Sequence, residues 1–210
     1  MKIFVCNFIA VLLLFVGCGS SKKSPKIDTV SGATVIKSIT EIPDIKPDNM
    51  TTKAIIFLHS FHHGNTRKVA NVIASEINAP ILNVNEINTD SIDFTKLEKY
   101  ELIGFGSGIN SDKHYQILLD FAEKLPLVKN KKAFIFSTSG IYNEKQMEIN
   151  HKTLRNILQN KGFVIIGEFG CPGYNTNSFL KHFGGMNKGR PNTEDLKNAA
   201  EFAKGLVAEK

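Results

Sequence analysis

The chain has 210 residues, 42% apolar and 22% charged, which fits one ordinary α/β domain plus an extension. Its formal net charge of +6 is mostly lysine and reads as background composition. No basic stripe interleaved with aromatics occurs, so nucleic acid is not an expected partner.

The extension comes first. Lys2 is followed by the apolar run IFVCNFIAVLLLFVG and then by Cys18, Gly19 and Ser20. A short basic start and an apolar stretch of this length resemble a secretory signal rather than a stable membrane span. FVGC, Phe15 to Cys18, resembles the lipobox of bacterial lipoproteins, with Phe15 where Leu is usual. That resemblance implies a cut before Cys18 and a diacylglycerol on its thiol. An uncleaved anchor, or a signal cut elsewhere, is the alternative. Either way the body is expected outside the cytoplasm and held at the cell membrane, since lipid chains supply roughly 0.8 kcal/mol per buried CH₂. With Cys6 removed and Cys18 modified, Cys171 stands alone, so the domain must fold on its core without a disulfide. The expected organisation is a signal at 1–17, a lipidated tether at 18–52 and a folded domain at 53–210.

Residues 19–52 lack a sustained apolar period and contain Pro25, Pro43 and Pro47. At Lys53 the character changes. KAIIFLHS is a short apolar run without alternation, as expected of a parallel strand buried on both faces. NTRKVANVIASEI places Val69, Val72, Ile73 and Ile77 at helical spacing, and PILNV (80–84) predicts a second strand. ELIGFGS (101–107) is a strand ending in glycine, HYQILLDFAEKL (114–125) an amphipathic helix, and KKAFIFSTSG a strand running into a Gly/Ser turn. INHKTLRNILQNKG predicts a helix closed by Gly162, FVIIGEFG the last strand, and TEDLKNAAEFAKGLV the last helix. Strands alternating with helices predict an α/β sandwich around a parallel sheet with right-handed crossovers.

In such sheets ligands sit beyond the carboxyl ends of the strands, which directs attention to the loops after Leu58, Phe105 and Phe136. The first, HSFHHGNTRKVA (59–70), brings Gly64 for close approach and small donors on Ser60, Asn65 and Thr66 to a helix N-terminus. Free N–H groups and the positive dipole end make that a phosphate site. It lacks the Gly-Lys-Ser/Thr of ATP-type loops. The structural alternative is helix capping by Asn65 or Thr66. The second and third loops, GSGINSDKH (106–114) and STSGIYNEK (137–145), carry glycines, hydroxyls, Ile109, Ile141 and Tyr142. Small residues let backbone touch a flat ring while Ile and Tyr cover its faces, so a ligand with one phosphate and a planar ring fits all three loops.

HSFHHGNTRKVA, GFGSGI, FSTSG, GEFGCPGYNT and GGMNKGRPNTEDLKNAAEFA, in that order over 53–207, resemble flavodoxin-like proteins of the branch with HHGNT in the first loop. Departures are one extra residue between Ser60 and Gly64, and Leu58 in place of a common aromatic. The resemblance implies a three-layer sandwich with a five-stranded parallel sheet in the order 2-1-3-4-5, and FMN bound non-covalently. It implies phosphate on Ser60, His63, Gly64, Asn65 and Thr66. The ring would lie between Ser107, Gly108, Ile109 and Thr138, Ser139, Gly140. Adjacent His62 and His63 lack partners at ligand spacing, so no metal is expected. Cys171 reads as a small apolar filler. His114 either lines the pocket or begins a helix. No Ser–His–Asp set and no convincing pairing of acidic residues stands out, so no catalytic side chain is expected.

One run in the tether remains. DTVSGAT, residues 28–34, resembles the motif by which a flavin transferase recognises its targets in membrane-associated redox proteins. The resemblance rests on Asp28, Ser31, Gly32, Ala33 and Thr34 and implies FMN joined through its phosphate to the Thr34 hydroxyl. Such motifs usually stand in a folded domain, and here the run stands on a tether. A chance polar linker is the alternative. The expected function is a membrane-tethered extracytoplasmic electron carrier that uses FMN and a redox partner protein at the membrane. A second FMN on Thr34 would extend the relay. The rivals are an FMN-dependent NAD(P)H or quinone reductase, and a lipoprotein that keeps the fold without flavin.

Overall fold

The computed structural model describes residues 39–43 and 53–208; the signal, Cys18 and Thr34 lie outside the described residues. The first strand, β1 (Ala54–His59), is buried at every residue and leads through a turn into helix α1 (Asn65–Ile77). Asn78, left-handed at φ 50°, ends that helix by returning its N–H to the Ala74 carbonyl. After β2 (Ile81–Asn83), two 3₁₀ turns occupy Val84–Glu86 and Phe94–Lys99, each started by a side-chain oxygen, of Asn83 and of Asp93. Then come β3 (Leu102–Asn110), β4 (Lys113–His114), α2 (Gln116–Lys124), β5 (Lys131–Ser139), α3 (Glu144–Asn160), β6 (Phe163–Pro172) and α4 (Thr193–Ala208).

The sheet runs β2-β1-β3-β5-β6, all parallel, with β4 paired antiparallel to the end of β3. Counted without that two-residue strand, this is the expected order 2-1-3-4-5. Each central strand feeds both faces. Ile55, Phe57, Ile103, Phe105 and Ile135 pack with Leu118, Phe121, Leu154 and Leu158 of α2 and α3. Ile56, Leu58, Phe134 and Phe136 pack with Val69, Ile73, Ala199 and Ala203 of α1 and α4. Burial on both faces is why these strands read as apolar runs without alternation.

Two glycines of the GFGSG run serve this packing. A Cβ on Gly104 would stand 2.3 Å from the Phe134 ring, and one on Gly106 would stand 2.1 Å from the Phe136 ring. Gly106, read from sequence as the start of a ligand loop, makes room for a neighbouring phenylalanine.

Three boundaries differ from the sequence reading, each for a local reason. Strand β3 continues to Asn110 and turns back through Ser111 and Asp112, both left-handed at φ 51° and 56°, so β4 takes His114, which the helical period had assigned to α2. Helix α3 starts at Glu144 rather than 149, because the Asn143 side chain caps it by accepting from the Gln146 N–H at 2.8 Å. The folded unit also begins before Lys53. The Ile39 N–H donates to the Glu86 carbonyl, Ile42 is 1% exposed within the core, and the Tyr100 hydroxyl donates to the Pro43 carbonyl at 2.6 Å. A single buried isoleucine between prolines has no period to reveal it.

Candidate functional site

The carboxyl ends of β1, β3 and β5 meet at an open cleft of about 410 Å³. One wall is the start of α1. Gly64, left-handed at φ 64°, is its N-cap and makes no side-chain cap. Neither Asn65 nor Thr66 caps the helix. Ser60 supplies an acceptor instead, its Oγ taking the Arg67 N–H at 3.1 Å. Both Asn65 and Thr66 are buried and line the cleft. Asn65 Nδ2 donates to the Tyr174 carbonyl at 2.8 Å, and its Oδ1 is buried with no hydrogen-bond partner among the described residues. The Thr66 hydroxyl meets the Thr138 hydroxyl at 2.9 Å. His63, at φ 52°, turns to the segment after β6, with Nε2 2.8 Å from Thr176 Oγ1 and its ring 4.5 Å from Tyr174. Ser60, His63 and Gly64 do not line the cleft, while Phe61 and His62 do.

The opposite walls come from two strand ends. Gly108 and Ile109 on β3, Thr138 and Ser139 at the end of β5, and Gly140 just after it all line the cleft. Ser107 does not; it is fully buried and bonds to His114. Ser139 Oγ donates to the Ile141 carbonyl at 2.7 Å, which tightens the turn. A Cβ on Gly108 would come 2.9 Å from the Tyr115 ring, so glycine there admits a tyrosine to the floor. Beyond Ile109, Ser139, Gly140 and Asn175, which both recesses share, a second open recess of about 630 Å³ continues between Ile141, Met186, Gln146 and Asn150.

Sequence reasoning missed one wall entirely. Gly173, Tyr174, Asn175 and Asn177 line the cleft from the segment after β6, held there because the Gly173 N–H donates to the Ser139 carbonyl at 2.8 Å. Asn187 Nδ2 braces the same place, donating to the Gly140 carbonyl at 2.6 Å. The visible signal was GYNT directly after a strand.

A polar network lies beneath the strand ends. His151 Nε2 is 2.8 Å from Ser137 Oγ, its Nδ1 is 2.8 Å from Glu168 Oε2, and Arg155 grips Glu168 through both of its carboxylate oxygens. Burial alone would raise the Glu168 carboxyl, but hydrogen bonds from His151 and Arg155 outweigh it and hold the group at about 2. The Ser–His–acid arrangement that the sequence hid is therefore present, assembled from β5, α3 and β6. Ser137 is 2% exposed and does not line the cleft, so this arrangement offers no nucleophile to a bound molecule. Burial, and secondarily the nearby His151, pushes His114 well below the usual histidine range. Cys171 is pushed up to about 12 by burial first and Asp195 second, so its thiol is an inert apolar filler at neutral pH. Among the described residues no group of three or more His, Cys, Asp or Glu is placed to hold a metal.

The comparisons agree with this geometry. The flavodoxin domain family matches residues 55–205. An uncharacterized protein of Methanocaldococcus jannaschii is 49% identical over 155 residues, covering 74% of this chain and 98% of that one. Among solved structures, oxidised flavodoxin 2 from Bacillus cereus superposes with a TM-score of 0.53 at 17% identity, covering 75% of this chain and 99% of the other. A flavodoxin from Streptococcus pneumoniae TIGR4 gives 0.54 at 14% identity, with 75% and 99% covered. The flavodiiron core of Flv1 from Synechocystis sp. PCC6803 gives 0.54 at 17%, with 75% of this chain and 36% of the other. At such identities the structures speak for the fold.

The residues present fit FMN. A phosphate suits the start of α1, where neither Asn65 nor Thr66 caps the helix and both line the cleft. The buried Asn65 Oδ1 needs a donor, which ribityl hydroxyls carry. Ile109, Tyr115, Ile141 and Met186 offer apolar walls to a flat ring, and Gln146, Asn150 and Asn175 offer amides to its polar edge. The chain belongs to the flavodoxin family and is an FMN-binding redox protein.

Proposed function

We propose that the chain is a membrane-tethered, extracytoplasmic electron carrier: a lipid on Cys18 holds it at the cell membrane, and a redox partner protein there exchanges electrons with FMN in the cleft. FMN supplies the one- and two-electron chemistry, and the chain binds, orients and shields it. One observation carries the carrier reading. Apart from His62, Tyr115 and Tyr174, the cleft is lined by glycine, Asn, Ser, Thr, Ile and Phe, which position a flat cofactor without acting as acid or base. At the rim, Phe61 is 72% exposed and Ile141 67% exposed, an apolar edge suited to a docking protein. A flavin transferase adds a second FMN to Thr34, the reading that DTVSGAT supports.

Two measurements test this. Purified holoprotein should exchange electrons with a one-electron partner and oxidise NAD(P)H only slowly; steady turnover of NAD(P)H would replace the carrier by a reductase. After acid precipitation of protein from its native membrane, the tryptic peptide holding Thr34 should carry the mass of FMN less water. A bare Thr34 with a yellow supernatant would leave a tethered flavodoxin with one flavin.

A further inference from the structure

His114 is fully buried on β4, directly across the ladder from Ile109, which lines the cleft. Its Nδ1 is 2.9 Å from Ser107 Oγ. The same oxygen donates to the Gly108 carbonyl at 2.7 Å and accepts the Tyr115 N–H at 3.2 Å. A hydroxyl has one proton and two acceptor sites. With its proton on Gly108 and one acceptor site on Tyr115, Ser107 has one acceptor site left. His114 must therefore donate from Nδ1, which assigns the tautomer by hydrogen-bond accounting. Nε2 then carries a bare lone pair, buried and without a partner among the described residues. A buried acceptor left unmatched in an otherwise bonded network is costly and calls for an explanation.

We propose that His114 Nε2 is a redox-linked proton site, vacant when the FMN in the adjacent cleft is oxidised and filled when it is reduced. An external reductant gives two electrons and one solvent proton goes with them to the cofactor, which leaves one added negative charge in the cleft. A second solvent proton adds to the Nε2 lone pair as counter-charge. One N–H bond forms at His114, no covalent bond of the protein breaks, and reoxidation returns the proton to water. The neighbourhood suits a site neutral at rest. His151 of α3 is in ring contact with His114 and leads on to Glu168 of β6 and Arg155 of α3; Asp112, Lys113 and Tyr115 are its chain neighbours, and the other charged residues of α3, Glu144, Lys145, Glu148 and Lys152, are exposed. Glu168 is engaged by Arg155 and His151, so it is not free to serve as counter-ion. The His151 ring lies 5.0 Å away and adds to burial in keeping His114 neutral. Only a new negative charge on the cleft side can draw the proton in.

The test uses the full chain, ¹⁵N-labelled at histidine and loaded with FMN, before and after anaerobic reduction with dithionite. Long-range ¹H–¹⁵N spectra should show His114 Nε2 bare in the oxidised protein and protonated in the reduced one. Proton uptake per FMN, followed with an indicator dye in weak buffer, should fall by up to one proton in His114→Asn. Asn keeps a donor for Ser107 and cannot take the proton. An Nε2 signal unchanged by reduction overturns the proposal, as does equal uptake by the variant. Should the variant not fold, the spectra of the unsubstituted protein decide alone. Flavin absorbance reports separately whether FMN is held, so a yellow protein with an unresponsive His114 refutes this inference and leaves the carrier reading standing.

Discussion

Glu168→Gln should remove a pH-dependent part of the stability, a deficit that shrinks as the medium acidifies. Glu168 is 17% exposed, takes Arg155 Nε and Nη2 on its two oxygens and holds His151 Nδ1 on one of them. These partners lower its carboxyl from the ordinary 4.5 to about 2, a displacement of 4.5 − 2, or about 2.5 pH units. At about 1.4 kcal/mol per unit, the ionised form is worth about 3.5 kcal/mol more in the folded state than in the unfolded one, an upper figure for a group that keeps some contact with water. The sign follows from the depressed value: this stability is fully present above pH 4.5 and is lost as pH falls toward 2. The glutamine keeps the shape but loses the charge, and it leaves Arg155 without a carboxylate. Urea unfolding from pH 7 to 3 measures the effect. The variant should be less stable by about 2–3 kcal/mol at pH 7, and the two curves should converge as the medium acidifies. A difference that stays constant down to pH 3 would show that the loss comes from packing, and would refute the electrostatic account.

Gly106→Ala should lower stability by about 1–3 kcal/mol, because its Cβ would stand 2.1 Å from the Phe136 ring at a position already filled. A thermal midpoint unchanged from the native chain would show that the ring moves aside freely. Thr66→Val removes a hydroxyl that is 2% exposed, meets Thr138 at 2.9 Å and lines the cleft, at nearly constant volume. Loss of a hydrogen bond to a charged group, about 1.5–3 kcal/mol, should weaken FMN binding by about 10- to 100-fold in a fluorescence titration. Equal affinity would take Thr66 out of the phosphate wall.

The fold was legible because its information is local. Apolar runs such as AIIFLH and AFIF carry the sheet, and of the helical stripe Val69, Val72, Ile73 and Ile77 all but the half-buried Val72 are buried. Two of the cleft walls were legible for the same reason, since a strand that ends in glycine and hydroxyls announces its loop. What could not be read depends on which distant residues the topology brings together. The Gly108 wall is held by a hairpin whose turn residues, Ser111 and Asp112, are left-handed without being glycine. The wall at Tyr174 and Asn175 exists because β6 pairs with β5 and brings Gly173 to Ser139. The same pairing sets Glu168, 17 residues after His151, at hydrogen-bond distance from it. A scan for acidic partners at helical or strand spacing passes over that pair. His114 shows the limit most clearly. In the sequence it either lines a pocket or opens a helix, and in the fold it does neither. It sits on a two-residue strand directly behind the cleft wall, where its unpaired nitrogen follows from the bonds that Ser107 has already made. Spacing finds the surfaces that touch a ligand, while the groups that respond to the ligand's charge from behind those surfaces are found by accounting for hydrogen bonds.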